Sequence, residues 1–269
     1  MCPLLDLLIS SQDLYKLIKK QDNTIVIDAR PFSEYKKGHV PGAVNIDLFQ
    51  LHWFDTTKRG IRDFNRQSRL LLSNIGIGRD SKVIFYDDIS GISAARGVWL
   101  LLYFSHEKVS MLDGGFKKWK REKFPIEVRS NQLKNVRFIG IINPKVIADA
   151  NEVNESTSNK NVKIIDARSR EEYLGFVVRA SRTGHIPSAV NVDWSRNIEN
   201  EVFKSKHKLS KIYSKIPKNA EIITYCQGGY RAANAFLALK ILGYKNVKMY
   251  LGSWGEWGNR PDLPISKQN

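Results

Sequence analysis

Cys226 and Arg231 are the residues of this 269-residue chain whose types and spacing could do chemistry, with Gln227, Gly228, Gly229 and Tyr230 between them. A cysteine works as a nucleophile in its thiolate form, and fixed positive charge or converging amides favour that form. Gly228 and Gly229 let the backbone curl so that its N–H groups meet at one point, which then holds negative charge. Arg231 adds a cation that no ordinary pH removes. The chemistry is nucleophilic attack by Cys226 and storage of a group on its sulfur. A lone cysteine is also a small buried hydrophobe, but its place at the head of a Gly-Gly loop favours the reactive role. The two cysteines and five histidines show no metal-ligand spacing, and neither metal nor cofactor is called for.

The elements that must position Cys226 follow from the residues on either side. Glu221-Ile222-Ile223-Thr224-Tyr225 is a short run rich in β-branched residues and reads as a buried strand. The stretch from Ala232 to Leu242 is rich in helix formers. Cys226 therefore sits where a strand ends and a helix begins, and the unpaired N–H groups of the helix start point into its loop. Upstream, residues 4–20 carry helical spacing (Leu7, Leu8, Leu14, Leu17, Ile18), with Ser10 or Ser11 as cap. Thr24 to Arg30 reads as a strand, Glu34-Tyr35 as the start of a short helix, and Gly38 to Asp47 as a turn and strand. Val83 to Asp87 and Val109 to Leu112 read as strands, and Ala94 to Tyr103 as a helix.

The second half repeats the first. Ile164 to Arg168 answers Val26 to Arg30 at an offset of 138, Gly184 to Asp193 answers Gly38 to Asp47 at 146, Tyr225-Cys226 answers Tyr86-Asp87 at 139, and Met249 to Trp257 answers Met111 to Trp119 at 138. Alternating strands and helices in each half predict two α/β domains with mostly parallel sheets. The domains fall at residues 1–130 and 144–269, joined by a polar linker at 131–143, and residues 151–161 read as a loop. The repeat fails at two places. Asp87 stands where Cys226 stands, and its loop lacks the double glycine and the arginine, so the first domain reads as catalytically silent. Arg168 to His185 spans seventeen positions against nine from Arg30 to His39, and the extra residues bring in Arg179 and Arg182.

Composition sets the class. Charged residues make up 26% and hydrophobic residues 42%, an ordinary globular balance. The formal net charge of +16 suits anionic partners. The lysines are scattered, and their densest runs, Lys117-Lys118 and residues 204–211, are not interleaved with aromatics as a nucleic-acid face is. Two cysteines imply no disulfide framework and suit a reducing compartment. No stretch is long and apolar enough to span a bilayer, and the N-terminus lacks a secretory signal, which together predict a cytoplasmic protein. Oligomeric state leaves no mark on the sequence.

Asp166-Ala167-Arg168, Gly184-His185-Ile186-Pro187, Tyr225 to Arg231 and Tyr250 to Trp257, taken in order and duplicated with a silent first copy, make the chain resemble the tandem-domain rhodanese family, the thiosulfate and 3-mercaptopyruvate sulfurtransferases. The resemblance covers nearly the whole chain. It implies two rhodanese-like domains and a cysteine that cycles through a persulfide. It places the nucleophile on Cys226 and substrate-binding arginines on Arg168 and Arg182, with a small anionic sulfur donor and a thiophilic acceptor as partners. Mercaptopyruvate enzymes of the family carry serine two positions after the cysteine, where this chain has Gly228. Animal-type thiosulfate enzymes carry cations just after it, where this chain has Gln227 and Gly228. Arg231 closes the loop, as in many bacterial relatives.

Alternative readings stand beside this one. Arg168 is also placed to pair with Asp166 or Glu172, and Arg30 repeats it in the silent half, so part of its role is structural. Arg179 and Arg182 have a second reading as ordinary loop charges. His39 and His185 read as structural hydrogen-bonding residues, and Trp254 and Trp257 as core. A cysteine phosphatase or arsenate reductase would space its cysteine and arginine by five residues around a phosphate, whereas four here suit a single sulfur atom. A persulfide carrier serving a protein or RNA-modifying partner would use the same cysteine without fast turnover on small acceptors.

Overall fold

The computed structural model describes residues 6–20, 23–132 and 134–267. Cys2 and the rest of residues 1–5 lie outside the described residues. The chain forms two units, and each draws a segment from the other half of the sequence. The first comprises Met1–Leu51, Phe64–Asn143 and Glu199–Phe203, and the second His52–Asp63, Pro144–Ile198 and Lys204–Asn269. No helix among the described residues is long and apolar enough to cross a membrane.

The first unit runs β1 (Leu8–Ile9), α1 (Ser11–Lys19), β2 (Thr24–Asp28), α2 (Phe32–Tyr35), β3 (Val44–Asn45), α3 (Lys58–Asn74), β4 (Lys82–Tyr86), α4 (Ile92–Tyr103), β5 (Val109–Leu112) and α5 (Gly115–Arg121), with the start of α3 belonging to the second unit. Its sheet has the order β1-β5-β4-β2-β3 and parallel pairings. Ser10 caps α1, accepting the Asp13 N–H at 3.1 Å. The helix expected over 4–20 is shorter than that, because Leu8 and Ile9 extend the sheet beside Met111 and Leu112. Leu14 and Ile18, on the apolar face of α1, pack with Val26, Ile84 and Trp119.

The second unit repeats the layout with β6 (Ile147–Ala148), α6 (Ala150–Ser156), β7 (Val162–Asp166), α7 (Arg170–Leu174), β8 (Val190–Asn191), a two-stranded hairpin of β9 (Ile198–Glu199) and β10 (Val202–Phe203), α8 (Lys206–Ile212), β11 (Glu221–Tyr225), α9 (Tyr230–Ile241), β12 (Val247–Tyr250) and α10 (Ser253–Trp257). Glu199–Phe203 of that hairpin belongs to the first unit, where Ser90 N–H donates to the Glu201 carbonyl at 2.8 Å and Phe203 N–H to Asp113 Oδ1 at 3.0 Å. The second sheet has the order β6-β12-β11-β7-β8, again with parallel pairings. Residues 151–161, expected as a loop, begin with most of helix α6. Asp149 caps it by accepting the Glu152 N–H at 2.9 Å, and buried Val153 anchors it. That cap outweighs the turn-forming composition around it.

Burial follows the strands. Ile164, Ile223, Tyr225, Tyr250, Trp254 and Trp257 share one core cluster of the second unit. Each large apolar side chain removed from water there stabilises the fold by about 1.5–3 kcal/mol. Helix α9 is buried from Ala232 to Leu239, as a helix apolar on all sides must be. His185 is structural: it stacks on Tyr173 at 3.8 Å and its Nδ1 lies 2.9 Å from the Tyr173 carbonyl.

Candidate active site

Register places the end of β11 beside the end of β7, so Tyr225 lies opposite Asp166. The Tyr225 hydroxyl donates to Asp166 Oδ2 at 2.5 Å and accepts the Ile186 N–H at 3.2 Å. Those bonds fix the strand end from which Cys226 leaves. Cys226 is 1% exposed. Gly229 has a left-handed backbone, φ 88°, and its N–H points at Cys226 Sγ at 3.1 Å. Any other residue at 229 would be strained in that conformation. The bond is of the charge-assisted kind once the sulfur carries negative charge.

Three further bonds tie the loop to the turn before α10. Cys226 N–H donates to Ser253 Oγ at 3.2 Å, Trp254 N–H to the Cys226 carbonyl at 2.9 Å, and Gly255 N–H to the Gln227 carbonyl at 2.8 Å. Above the loop lies the segment from residue 52. A methyl group at 228 would stand 2.6 Å from His52 Cδ2, and one at 255 would stand 2.3 Å from Phe54 Cε1, so a side chain at either position would displace those rings. The His52 ring lies 4.8 Å from that of Tyr230. Thr56 anchors the segment: its N–H and hydroxyl donate to the Glu256 carboxylate at 3.0 and 2.7 Å, and its hydroxyl oxygen accepts the Ala150 N–H at 3.0 Å.

The arginines divide by what they hold. Arg231 forms a two-pronged pair with Glu172, through Nη1 to Oε2 and Nη2 to Oε1, the latter at 2.9 Å. Arg179 Nε lies 3.1 Å from the same carboxylate and its side chain is 57% exposed. Burial pushes the Glu172 carboxyl up, but Arg231, then the Ser169 N–H and Arg179, outweigh that and hold it below the ordinary carboxylate range. Burial lowers the Arg231 pKa and Glu172, followed by the Cys226 sulfur, raises it above its usual value. Gln227 donates from Nε2 to the Arg179 carbonyl at 2.9 Å, which ties the inserted loop to the cysteine loop.

Arg168 is 1% exposed, and its guanidinium is occupied by Asp166 (Nη2 to Oδ2, 2.6 Å) and the Gly184 carbonyl (2.8 Å). Arg30 makes the same contacts with Asp28 and the Gly38 carbonyl. Arg182 donates to the backbone carbonyls of Leu263 and Trp257, both at 2.9 Å, and also to those of Gly258 and Arg260. The structure therefore gathers Cys226, Gly228 and Gly229 in one loop, sets Arg231 in the first turn of α9 behind it, and engages Arg168 and Arg182 with protein acceptors.

The first unit fills the equivalent loop with its own anion. Asp87 accepts the N–H groups of Gly91 at 3.1 Å, Ser93 at 3.0 Å and Ala94 at 3.2 Å. Burial pushes its carboxyl up to about 6, against the pull of those three amides. A carboxylate thus sits on amides at the start of α4 much as Sγ sits on the Gly229 amide at the start of α9.

Sequence reasoning named Glu172 only as a partner for Arg168, and it missed His52, Phe54 and Thr56. Glu172 had a local signal, since Ser169 and Glu172 form a capping box (Glu172 N–H to Ser169 Oγ, 3.3 Å; Ser169 N–H to Glu172 Oε2, 3.2 Å). Nothing in the spacing announces its pairing with Arg231. His52 and Phe54 lie in the half of the sequence opposite to the site, so no local pattern connects them to Cys226.

Comparison with known proteins matches residues 10–122 and 149–260 each to the Rhodanese-like domain. The chain is 32% identical over 255 residues to the 3-mercaptopyruvate sulfurtransferase of Escherichia coli (strain K12), covering 89% of this chain and 91% of that one. It is 30% identical over 269 residues to the thiosulfate sulfurtransferase of Azotobacter vinelandii, covering 97% of each. Among solved structures, the anaerobic ergothioneine biosynthesis enzyme from Chlorobium limicola superposes with a TM-score of 0.87 at 23% identity, over 99% of this chain and 71% of that one. At that identity the likeness speaks for the fold.

Proposed function

The chain belongs to the rhodanese family, and from that premise we propose that it is a sulfurtransferase that takes the sulfane sulfur of thiosulfate, ahead of 3-mercaptopyruvate, onto Cys226 and passes it to cyanide or a thiol. The observation that carries the reading is the Gly229 N–H aimed at Cys226 Sγ, 3.1 Å away, inside a loop closed by Arg231. The Cys226 thiolate attacks the outer sulfur of thiosulfate. The S–S bond to the sulfonate sulfur breaks, sulfite leaves with its electron pair, and a Cys226 persulfide anion remains. Cyanide or a thiolate then attacks the terminal sulfur, thiocyanate or a new persulfide leaves, and the Cys226 thiolate is restored. No proton has to be supplied to sulfite, whereas pyruvate leaving from mercaptopyruvate departs as an enolate and needs one. Gly228 offers no hydroxyl for that purpose, which favours thiosulfate.

In this reading the Gly229 amide and Arg231 stabilise the charge that moves along the sulfur chain. The exposed Arg179 meets the donor's anionic end. Arg168 and Arg182 serve the donor through what they hold, the β7 end and the turn after α10.

Wild type should form thiocyanate from thiosulfate and cyanide, with a higher kcat/KM for thiosulfate than for 3-mercaptopyruvate, and Cys226→Ser should abolish both while remaining folded by circular dichroism. Retained activity in Cys226→Ser would remove the mechanism. Slow thiocyanate formation from a stably persulfidated wild type would mark a carrier in place of a turnover enzyme.

A further inference from the structure

Ser253 stands out as an L-residue in a left-handed backbone, φ 51°, with no exposed surface. The matching residue of the first unit, 138 positions earlier, is Gly115, with φ 56°. The two turns make the same backbone bonds. Phe116 and Lys117 N–H groups donate to the Asp87 and Asp88 carbonyls at 2.8 and 2.9 Å, as Trp254 and Gly255 N–H groups donate to the Cys226 and Gln227 carbonyls at 2.9 and 2.8 Å. The turn is built for glycine, since a Cβ is disfavoured in that region. The unit with aspartate at the nucleophile position has glycine there. The unit with cysteine has serine.

The side chain shows what offsets the backbone cost. Ser253 Oγ accepts the Cys226 N–H at 3.2 Å and donates to the Tyr250 carbonyl at 2.9 Å. We propose that Ser253 is a positioning residue for the nucleophile: its hydroxyl takes up the Cys226 backbone amide and ties it to the end of β12, so that the chain enters the loop at one angle. That angle is what points the Gly229 N–H at Sγ. Gly115 leaves the first unit without this tie, and there the Asp87 carboxylate organises its own loop through three amides. The proposal rests on the reading of Cys226 as the sulfur acceptor.

Two variants separate the hydroxyl from the backbone strain. Ser253→Ala keeps the Cβ in the left-handed region and removes the hydroxyl, and Ser253→Gly removes both. Both should lower kcat and kcat/KM for thiosulfate together, by about tenfold, the factor a 1.4 kcal/mol loss in the transition state gives, with KM little changed. The rate of Cys226 alkylation by iodoacetamide at fixed pH, followed on the Cys226 peptide by mass spectrometry, should fall in parallel. Ser253→Gly should melt at or above the temperature of Ser253→Ala. If Ser253→Gly turns over and alkylates at the wild-type rate, the hydroxyl has no positioning role and the proposal is overturned. The alkylation arm needs no sulfur donor, so an absence of thiocyanate in wild type would sink the sulfurtransferase reading and still leave the role of Ser253 decided.

Discussion

Asp87 and Cys226 occupy equivalent ends of two strands, and the difference between them is one of charge and reach. Cys226 places its sulfur against the amide of Gly229. Asp87 spends both carboxylate oxygens on three amides of its own loop. Burial pushes the Asp87 carboxyl up to about 6, above the value near 3.9 expected of an unfolded chain. A raised folded-state pKa means that this group's contribution to stability is fully present below about pH 4 and is lost as pH rises through about 6. Asp87→Ala should leave thiosulfate turnover nearly intact. Its stability deficit relative to wild type, measured by urea denaturation, should be larger at pH 5 than at pH 8 by roughly 1 kcal/mol. A deficit independent of pH would show that the carboxylate is ionised throughout. Glu172 and Asp166 sharpen a related point: a buried arginine in an apparent site motif is often claimed first by a carboxylate within the protein, and Arg168 with its twin Arg30 illustrates this.

At the level of elements, the segment carrying His52 and Phe54 is held by Thr56 alone among its buried side chains. Thr56→Val keeps the shape and removes the hydroxyl. The Ala150 N–H then loses its acceptor and Glu256 keeps the Thr56 N–H and the Tyr250 hydroxyl. The expected cost is about 1–3 kcal/mol by thermal or urea unfolding. Loosening His52 over Gly228 should also raise KM for the donor, and unchanged donor kinetics in a destabilised Thr56→Val would place the segment outside the working site. This segment also marks the limit of sequence reading. Strands β2, β4, β5, β7, β11 and β12 were legible because each is a short run rich in β-branched or other large apolar residues ending in a polar one. Helix α3, Lys58–Asn74, went unread, because its polar residues outnumber the apolar ones, although Thr57 caps it by accepting the Gly60 N–H at 3.1 Å. Helix α6 was misread because Asn, Ser and Glu dominate it, although Asp149 and Val153 suffice to fold it. Among site residues, the loop itself was legible from Cys226 to Arg231. Glu172 and Ser253 were not, since their roles come from backbone geometry and from pairings 59 and 27 residues away.

For the whole molecule, duplication predicts two self-sufficient halves, and the architecture departs from that. The second unit includes His52–Asp63, and the first includes Glu199–Phe203. The half of the sequence that carries Cys226 is therefore completed by a piece of the other half. A chain of residues 144–269 keeps Cys226, Gly229, Arg231, Glu172 and Ser253. It lacks Thr56, so Ala150 N–H loses its acceptor and Glu256 loses two of its donors, and it bares Gly228 and Gly255 where His52 and Phe54 lay against them. Three missing hydrogen bonds alone amount to about 3 kcal/mol, a large share of the 5–15 kcal/mol that holds a typical domain. The half-chain should melt well below the full chain. Measured where it is still folded, it should show a kcat/KM for thiosulfate at least about tenfold lower, the factor that 1.4 kcal/mol gives. A half-chain as active as the full protein would mean that Cys226 and its own loop suffice, and that His52–Asp63 serves stability alone.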